Sequence, residues 1–229
     1  MPVSPETLAL FRTVRTSDVT DALDSMGLQE RYEMDPAMRP LYPGIHFAGL
    51  ALTMEYGISA DKLSAMSYEE FDERQYKPGP EGLWHEAGPY GALDEVLVLD
   101  AKRTRAGILG SNNTLMARTK GTVGFIIDGT CRDSGECIIQ QTPMFCSVRS
   151  PAHPMGRLQV ISDNRPIVCA GVPVNPGDVI IADDDGVVAV PQEIAGEVAR
   201  RASLIQAKDR PQRRRGYEIL GLPPDETVE

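Results

Sequence analysis

No stretch of the chain stays apolar for the roughly 20 residues a membrane helix needs. The opening run MPVSPETLALFRTVRTSDVT also lacks the basic start and apolar stretch of a secretory signal. These two absences lead us to expect a cytoplasmic protein with no membrane attachment. Basic charge is scarce: 23 Lys and Arg stand against 33 Asp and Glu, a net charge of −10. An acidic surface repels phosphate backbones, so direct nucleic-acid binding is not expected, while a basic protein partner stays compatible. The one basic cluster, RPQRRR at 210–215, reads as a solvated or subunit-contacting tail. Cysteine is sparse too. Cys131, Cys137, Cys146 and Cys169 form no Cys-x-x-Cys pair, and no close pair of histidines completes a zinc site. They are expected as reduced thiols, partly in the core. Cys131 beside Arg132 is the alternative as a reactive thiol, but no His near it in sequence serves as its base.

What is present fits one large domain over residues 1–229, with no internal repeat and no linker to divide it. TSDVTDALDSMG carries Val19, Ala22, Leu23 and Met26 at helical spacing, with Thr16 or Ser17 as cap and Gly27 as stop. FAGLALTMEYG reads as a strand. Residues 59–91 are polar and irregular, an excursion that reads as a lid or a subunit contact and holds the only tryptophan, Trp84.

From Glu95 the pattern is strand (EVLVLD), turn region (AKRTRAGILGSNN), short helix (TLMARTK, closed by Gly121), and strand (VGFII, ending in Asp128-Gly129). That is a βαβ unit, so its two strands are expected to be parallel and covered on both faces. Ligands in such sheets lie beyond the carboxyl ends of the strands, where the loops at 107–113 and 128–134 meet. The last third reads as short strands (IVCAGVPV, VIIADD, GVVAVP) parted by NPGD and DDDG turns. A helix starting at Pro191 follows, and a tail from about 209 to 229.

Two segments carry candidate chemistry. Arg132 offers a rigid fork of donors for a carboxylate, and Asp133 is a hard oxygen ligand suited to Mg²⁺ or Mn²⁺. The competing reading of the pair is a structural ion pair or a solvated turn. Gly110-Ser111-Asn112-Asn113 precede a helix whose first N–H groups suit an anion, though Ser and Asn are also ordinary caps. His46, His85 and His153 are isolated and read as solvated or structural, with His85 beside Trp84 able to close over a ligand if the excursion is a lid. Asp183, Asp184 and Asp185 read as a turn, because consecutive carboxylates of an extended chain point apart.

The segment LGSNNTLMARTKGTVGFIIDGTCRD resembles the stretch that identifies RraA-like proteins. SDVTDALDSMG, GLALTM and VPVNPGDVIIADDDGVVAVP resemble that family's first helix, first core strand and C-terminal β unit. The family includes 4-hydroxy-4-methyl-2-oxoglutarate aldolases, which also decarboxylate oxaloacetate, and a regulator that inhibits a ribonuclease E. The resemblance implies an α/β fold of the swivelling β/β/α type, a homotrimer or hexamer, and a site between neighbouring subunits. It implies Asp133 as metal ligand, Arg132 as the arginine on the substrate carboxylate or keto oxygen, and Gly110, Asn112 and Asn113 as the substrate loop. Ser111 stands where family aldolases carry Asp or Glu, a residue tied to metal-bound water and proton transfer. Asp128 is close in sequence and could contribute a carboxylate in its place. The expected activity is a divalent-metal-dependent lyase that releases pyruvate from a small 2-oxo acid through a stabilised enolate. No Schiff-base lysine is required, and Lys102 and Lys120 read as surface residues. A non-catalytic regulator, and another metal-dependent reaction on a sugar acid, are the competing readings.

Overall fold

The computed structural model describes residues 2–60, 62–75, 77, 91–225 and 227–228. Trp84 and His85 lie outside the described residues. In chain order the elements begin with α1 (Pro5–Phe11), α2 (Thr16–Asp24), β1 (Arg39–Pro40), β2 (Phe47–Ile58), α3 (Tyr68–Gln75) and β3 (Glu95–Asp100). Next come β4 (Gly107–Leu109), α4 (Ser111–Thr119), β5 (Gly124–Cys131), α5 (Ser134–Ile139), β6 (Met144–Arg149) and β7 (Leu158–Asp163). The chain ends with β8 (Ile167–Cys169), β9 (Val172–Val174), β10 (Val179–Asp183), β11 (Gly186–Val190) and α6 (Ala195–Leu220).

A nine-stranded mixed sheet runs β1-β6-β5-β3-β2-β10-β11, with β4 joined to β5 and β7 to β2, and curls into a nearly closed barrel. The expected parallel pair is there: Val96 to Asp100 of β3 lie in register with Gly124 to Asp128 of β5. Continuous apolar strands arise because both faces of the sheet are covered. Along β10, Val179 and Ile181 enter a cluster with Leu8, Phe11, Leu23 and Val198 of the helices, while Ile180 and Ala182 enter the larger core on the other face. Among the described residues no helix is long and apolar enough to cross a membrane.

Several boundaries differ from the sequence reading, each for a local reason. The cap of α2 is Arg15, not Thr16 or Ser17, because Asp183 accepts from the Thr16 N–H (2.8 Å) and hydroxyl (2.6 Å) across the fold. Asp184 is likewise engaged, by the Gly44 N–H. The DDDG stretch is thus a turn, as read, and it also closes a helix start. Asp183→Ala is expected to cost about 1 kcal/mol, the worth of a helix cap, seen as a lower urea midpoint with an unchanged slope.

IVCAGVPV is a hairpin rather than one strand, since Ala170 (φ 48°) and Gly171 (φ 84°) make the left-handed pair of a type I′ turn. β5 does not stop at Asp128-Gly129 but runs to Cys131. Asp128 is satisfied inside the sheet, accepting from the Ala170 N–H (2.9 Å) and Ser147 hydroxyl (3.0 Å) and pairing with Arg103. Pro191 lies in a turn ahead of α6, which begins at Ala195. The expected tail from 209 is mostly helix: α6 continues through Pro211 to Leu220 and is closed by Gly221 at φ 65°. The chain then folds back, with Tyr217 on Asp225 and Arg213 on the Thr227 carbonyl.

Candidate functional site

The short strand β4 sets the site. It pairs in parallel with the end of β5, Gly107 beside Thr130 and Leu109 beside Cys131. The two chains therefore leave the sheet together, one at Gly110 and the other at Arg132, whose N–H donates to the Leu109 carbonyl (2.9 Å). α4 begins at once after Gly110, so Ser111, Asn112 and Asn113 form its first turn and do not precede it as a loop. Among the described residues no side chain caps this helix start, which leaves a positive helix end where Gly110, Asn112 and Asn113 line a cavity.

Asp133 holds a left-handed backbone (φ 53°, ψ 32°) at the start of α5. Aspartate tolerates that conformation better than most residues, at a cost of roughly 1 kcal/mol or more. The sequence Asp133-x-x-Glu136 is that of a capping box, yet Asp133 makes no cap bond to α5. Its carboxylate turns toward Arg132 (Nε to Oδ1, 3.4 Å) and packs on the bare Cα of Gly110. Glu136 is diverted as well, accepting from the Ser111 hydroxyl. Both carboxylates of the capping box are thus turned from their own helix toward the start of α4.

A cavity of about 330 Å³ opens here. Gly110, Asn112, Asn113, Arg132 and Asp133 line it, so five of the six residues singled out in the sequence share one wall. Ser111 is the exception. It is 2% exposed, its hydroxyl is taken by Glu136, and it does not line the cavity.

The rest of the lining was not anticipated. Phe71 and Gln75 come from α3, a helix inside the stretch read as irregular, and His153 comes from the loop before β7. Phe71 and His153 meet edge to face, ring centres 6.4 Å apart. His153 Nδ1 accepts from the Met155 N–H (3.2 Å), which assigns the proton of the neutral ring to Nε2. Burial first, and then Arg132 and Arg157, pull its pKa below the ordinary imidazole value. One signal for α3 is visible in hindsight: Ser67 bonds the Glu70 N–H at its start and Glu70 pairs with Arg74 four residues on.

Other candidates take structural places. Asp128 is committed within the sheet, as described, and does not line the cavity. All four cysteines are free and buried. Contact with Cys146 and then burial push the Cys131 thiol up, which opposes a thiolate role. His46 bonds the Val14 carbonyl and Lys102 pairs with Asp100 and Glu55. Neither Lys102 nor Lys120 lines the cavity.

Comparison with known proteins fits this architecture. The model of the RraA-like family, described as Aldolase/RraA, matches residues 16–189. A Halalkalibacterium halodurans protein with the provisional name 4-hydroxy-4-methyl-2-oxoglutarate aldolase is 32% identical over 201 residues, 87% of this chain and 83% of that one. A solved structure of an uncharacterized Pseudomonas syringae pv. tomato protein superposes with a TM-score of 0.75 at 24% identity, covering 100% of both chains. Streptomyces coelicolor RraAS2, described as an unusual member of the RNase ES inhibitor RraA family, gives a TM-score of 0.73 at 22% identity over 93% of this chain and 98% of that one. The two superpositions establish a shared fold, and with the match over residues 16–189 they lead to one conclusion: the chain belongs to the RraA-like family.

Proposed function

We propose that the protein is a divalent-metal-dependent lyase that breaks a C–C bond beside the keto group of a small 2-oxo acid and releases pyruvate. One observation carries the reading: the Asp133 carboxylate is withheld from its own helix and held against Gly110, beside Arg132, in the cavity at the start of α4. The name of the Halalkalibacterium halodurans relative supports the aldolase class.

The residues present fit a hard cation. Mg²⁺ is commonly held by one or two carboxylates, with water and substrate oxygens filling its other positions. Asp133 is the carboxylate of this cavity, and among the described residues no group of three or more His, Cys, Asp and Glu forms a closed cage. Asp133 would hold Mg²⁺ or Mn²⁺, which when bound supplies Lewis-acid polarisation of the keto group. Arg132 grips the substrate carboxylate or keto oxygen with its planar fork. C–C cleavage leaves negative charge on the keto oxygen. Arg132 and the first-turn amides of α4 are donors fixed in advance for that charge. A Schiff base is not needed, and among the described residues no lysine lines the cavity. Decarboxylation of oxaloacetate asks least of these residues, because no hydroxyl proton has to be removed.

The test is pyruvate release from oxaloacetate and from 4-hydroxy-4-methyl-2-oxoglutarate, with Mg²⁺ or Mn²⁺ and with EDTA. Turnover is expected with metal, lost in EDTA and restored by excess metal. A folded, metal-binding protein that turns over neither substrate overturns the lyase reading and favours a regulator or another metal-dependent reaction.

A homotrimer, or a hexamer built from two, is the proposed assembly. The exposed apolar side chains Leu115 and Met116 on α4 and Ile139 on α5 support it, since such clusters beside a site mark contact surfaces. Light scattering on the purified protein is expected to give three times the chain mass or six times, and a monomer at micromolar concentration would remove this part of the reading.

A further inference from the structure

The loop that carries His153 is tied to the two strands that end at the site. The Ser150 N–H donates to the Cys131 carbonyl (3.0 Å), one residue before Arg132, and the Gly107 N–H donates to the Ala152 carbonyl (2.9 Å). Arg157 then donates to the carbonyl of His153 itself (2.9 Å). The ring is fixed as well: the Met155 N–H donates to Nδ1 (3.2 Å), and the Phe71 ring meets it edge to face. With Nδ1 accepting, the proton of the neutral ring sits on Nε2, the polar atom left to meet a ligand. His153 lines the same cavity as Gly110, Arg132 and Asp133, and about 330 Å³ is at the small end for a ligand pocket. Burial first, then the charges of Arg132 and Arg157, hold the imidazole pKa down, and Asp133 opposes them. The net effect favours the neutral ring. A neutral imidazole N–H stabilises charge on an oxygen without giving up its proton. A donor fixed in advance does so with no reorganisation at the moment of reaction.

We propose that His153 is a catalytic hydrogen-bond donor, its Nε2–H directed at the keto oxygen of the 2-oxo acid, where C–C cleavage leaves negative charge. No proton passes to or from the ring. The reaction named here rests on the lyase reading; the fixed donor rests on the tethering of His153.

Oxalate, a planar dianion shaped like the enolate of pyruvate, tests the donor apart from turnover. Calorimetry on the intact, assembled protein in Mg²⁺ buffer is expected to show binding that His153→Ala weakens at least about tenfold, or about 1.4 kcal/mol. His153→Gln places an amide N–H near the position of Nε2 and is expected to restore affinity to within about threefold. In pyruvate release from oxaloacetate, His153→Ala is expected to lower kcat about 10²-fold with a far smaller change in KM, and His153→Gln to recover part of that rate. Oxalate binding unchanged in His153→Ala, a Gln variant as weak as the Ala variant, or no oxalate binding by the unaltered protein overturns the proposal. If oxalate affinity follows the expected order but no 2-oxo acid tested releases pyruvate, the lyase reading fails and the donor stands. Pyruvate release at one rate in all three proteins removes the donor and leaves the lyase reading in place.

Discussion

Asp133→Asn is expected to lower metal-supported pyruvate release by about 10³-fold, on the scale of losing a principal electrostatic contact to the reacting group. Asparagine is the informative replacement because it tolerates the left-handed backbone at φ 53° at least as well as aspartate. The start of α5 keeps its shape, and the loss reports the charge alone. Alanine at the same place would add backbone strain and confuse the two. Stability should stay nearly level, since the carboxylate makes no cap bond to α5 and its one ion pair, with Arg132, is long and about a third exposed on both sides. The metal concentration for half-maximal rate should rise with the loss of the ligand. If Asp133→Asn retains full rate and an unchanged metal requirement, Asp133 is not the ligand and the proposed chemistry needs another carboxylate.

The part of the site where β4 and β5 end was legible in the sequence because three local signals agreed. EVLVLD and VGFII are continuous apolar runs, the helix between them ends at a glycine, and a parallel pair brings the two following loops to one edge. Asp128-Gly129 read as the end of the strand and the start of a loop, and it is strand. The misreading has a tertiary cause: the Ala170 N–H and Ser147 hydroxyl satisfy the Asp128 carboxylate from outside the segment. The stretch from about 209 was read as a tail, yet α6 continues through Pro211 by giving up one backbone hydrogen bond.

The lining contributed by α3 and His153 was illegible for a different reason. YEEFDERQ has no apolar stripe, and α3 has no fully buried residue and only Phe71 packed against the core, so periodicity had no signal to find. Phe71 and His153 are 82 positions apart and meet only in the folded chain. Ser111 shows the opposite limit. It was read as part of a loop ahead of the helix and is instead the first residue of α4, and its partner Glu136 sits on the next helix, where Asp133-x-x-Glu136 predicts a cap that neither residue supplies. Local rules fail at this junction because both carboxylates are turned toward α4, and such failures gather at functional sites.

Gly110→Ala tests whether that geometry matters. The backbone there is extended (φ −126°, ψ −173°), so alanine brings no conformational strain. Its methyl group, however, would overlap the Asp133 carboxylate and lie 3.1 Å from Arg132 Cγ. The carboxylate is the part free to yield, because sheet hydrogen bonds hold both backbones. The substitution should therefore displace the proposed metal ligand by about an ångström and leave the fold intact. A misplacement of that size costs about 10²-fold in rate. The expected result is a rate loss of that order with a melting temperature within about 4 °C of the unaltered protein, the shift that roughly 1 kcal/mol produces in a domain of this size. Full activity would mean that the reaction does not depend on where Gly110 lets the carboxylate rest. A large fall in melting temperature would mean that Gly110 serves the fold, and the bare Cα beneath Asp133 would lose its functional meaning.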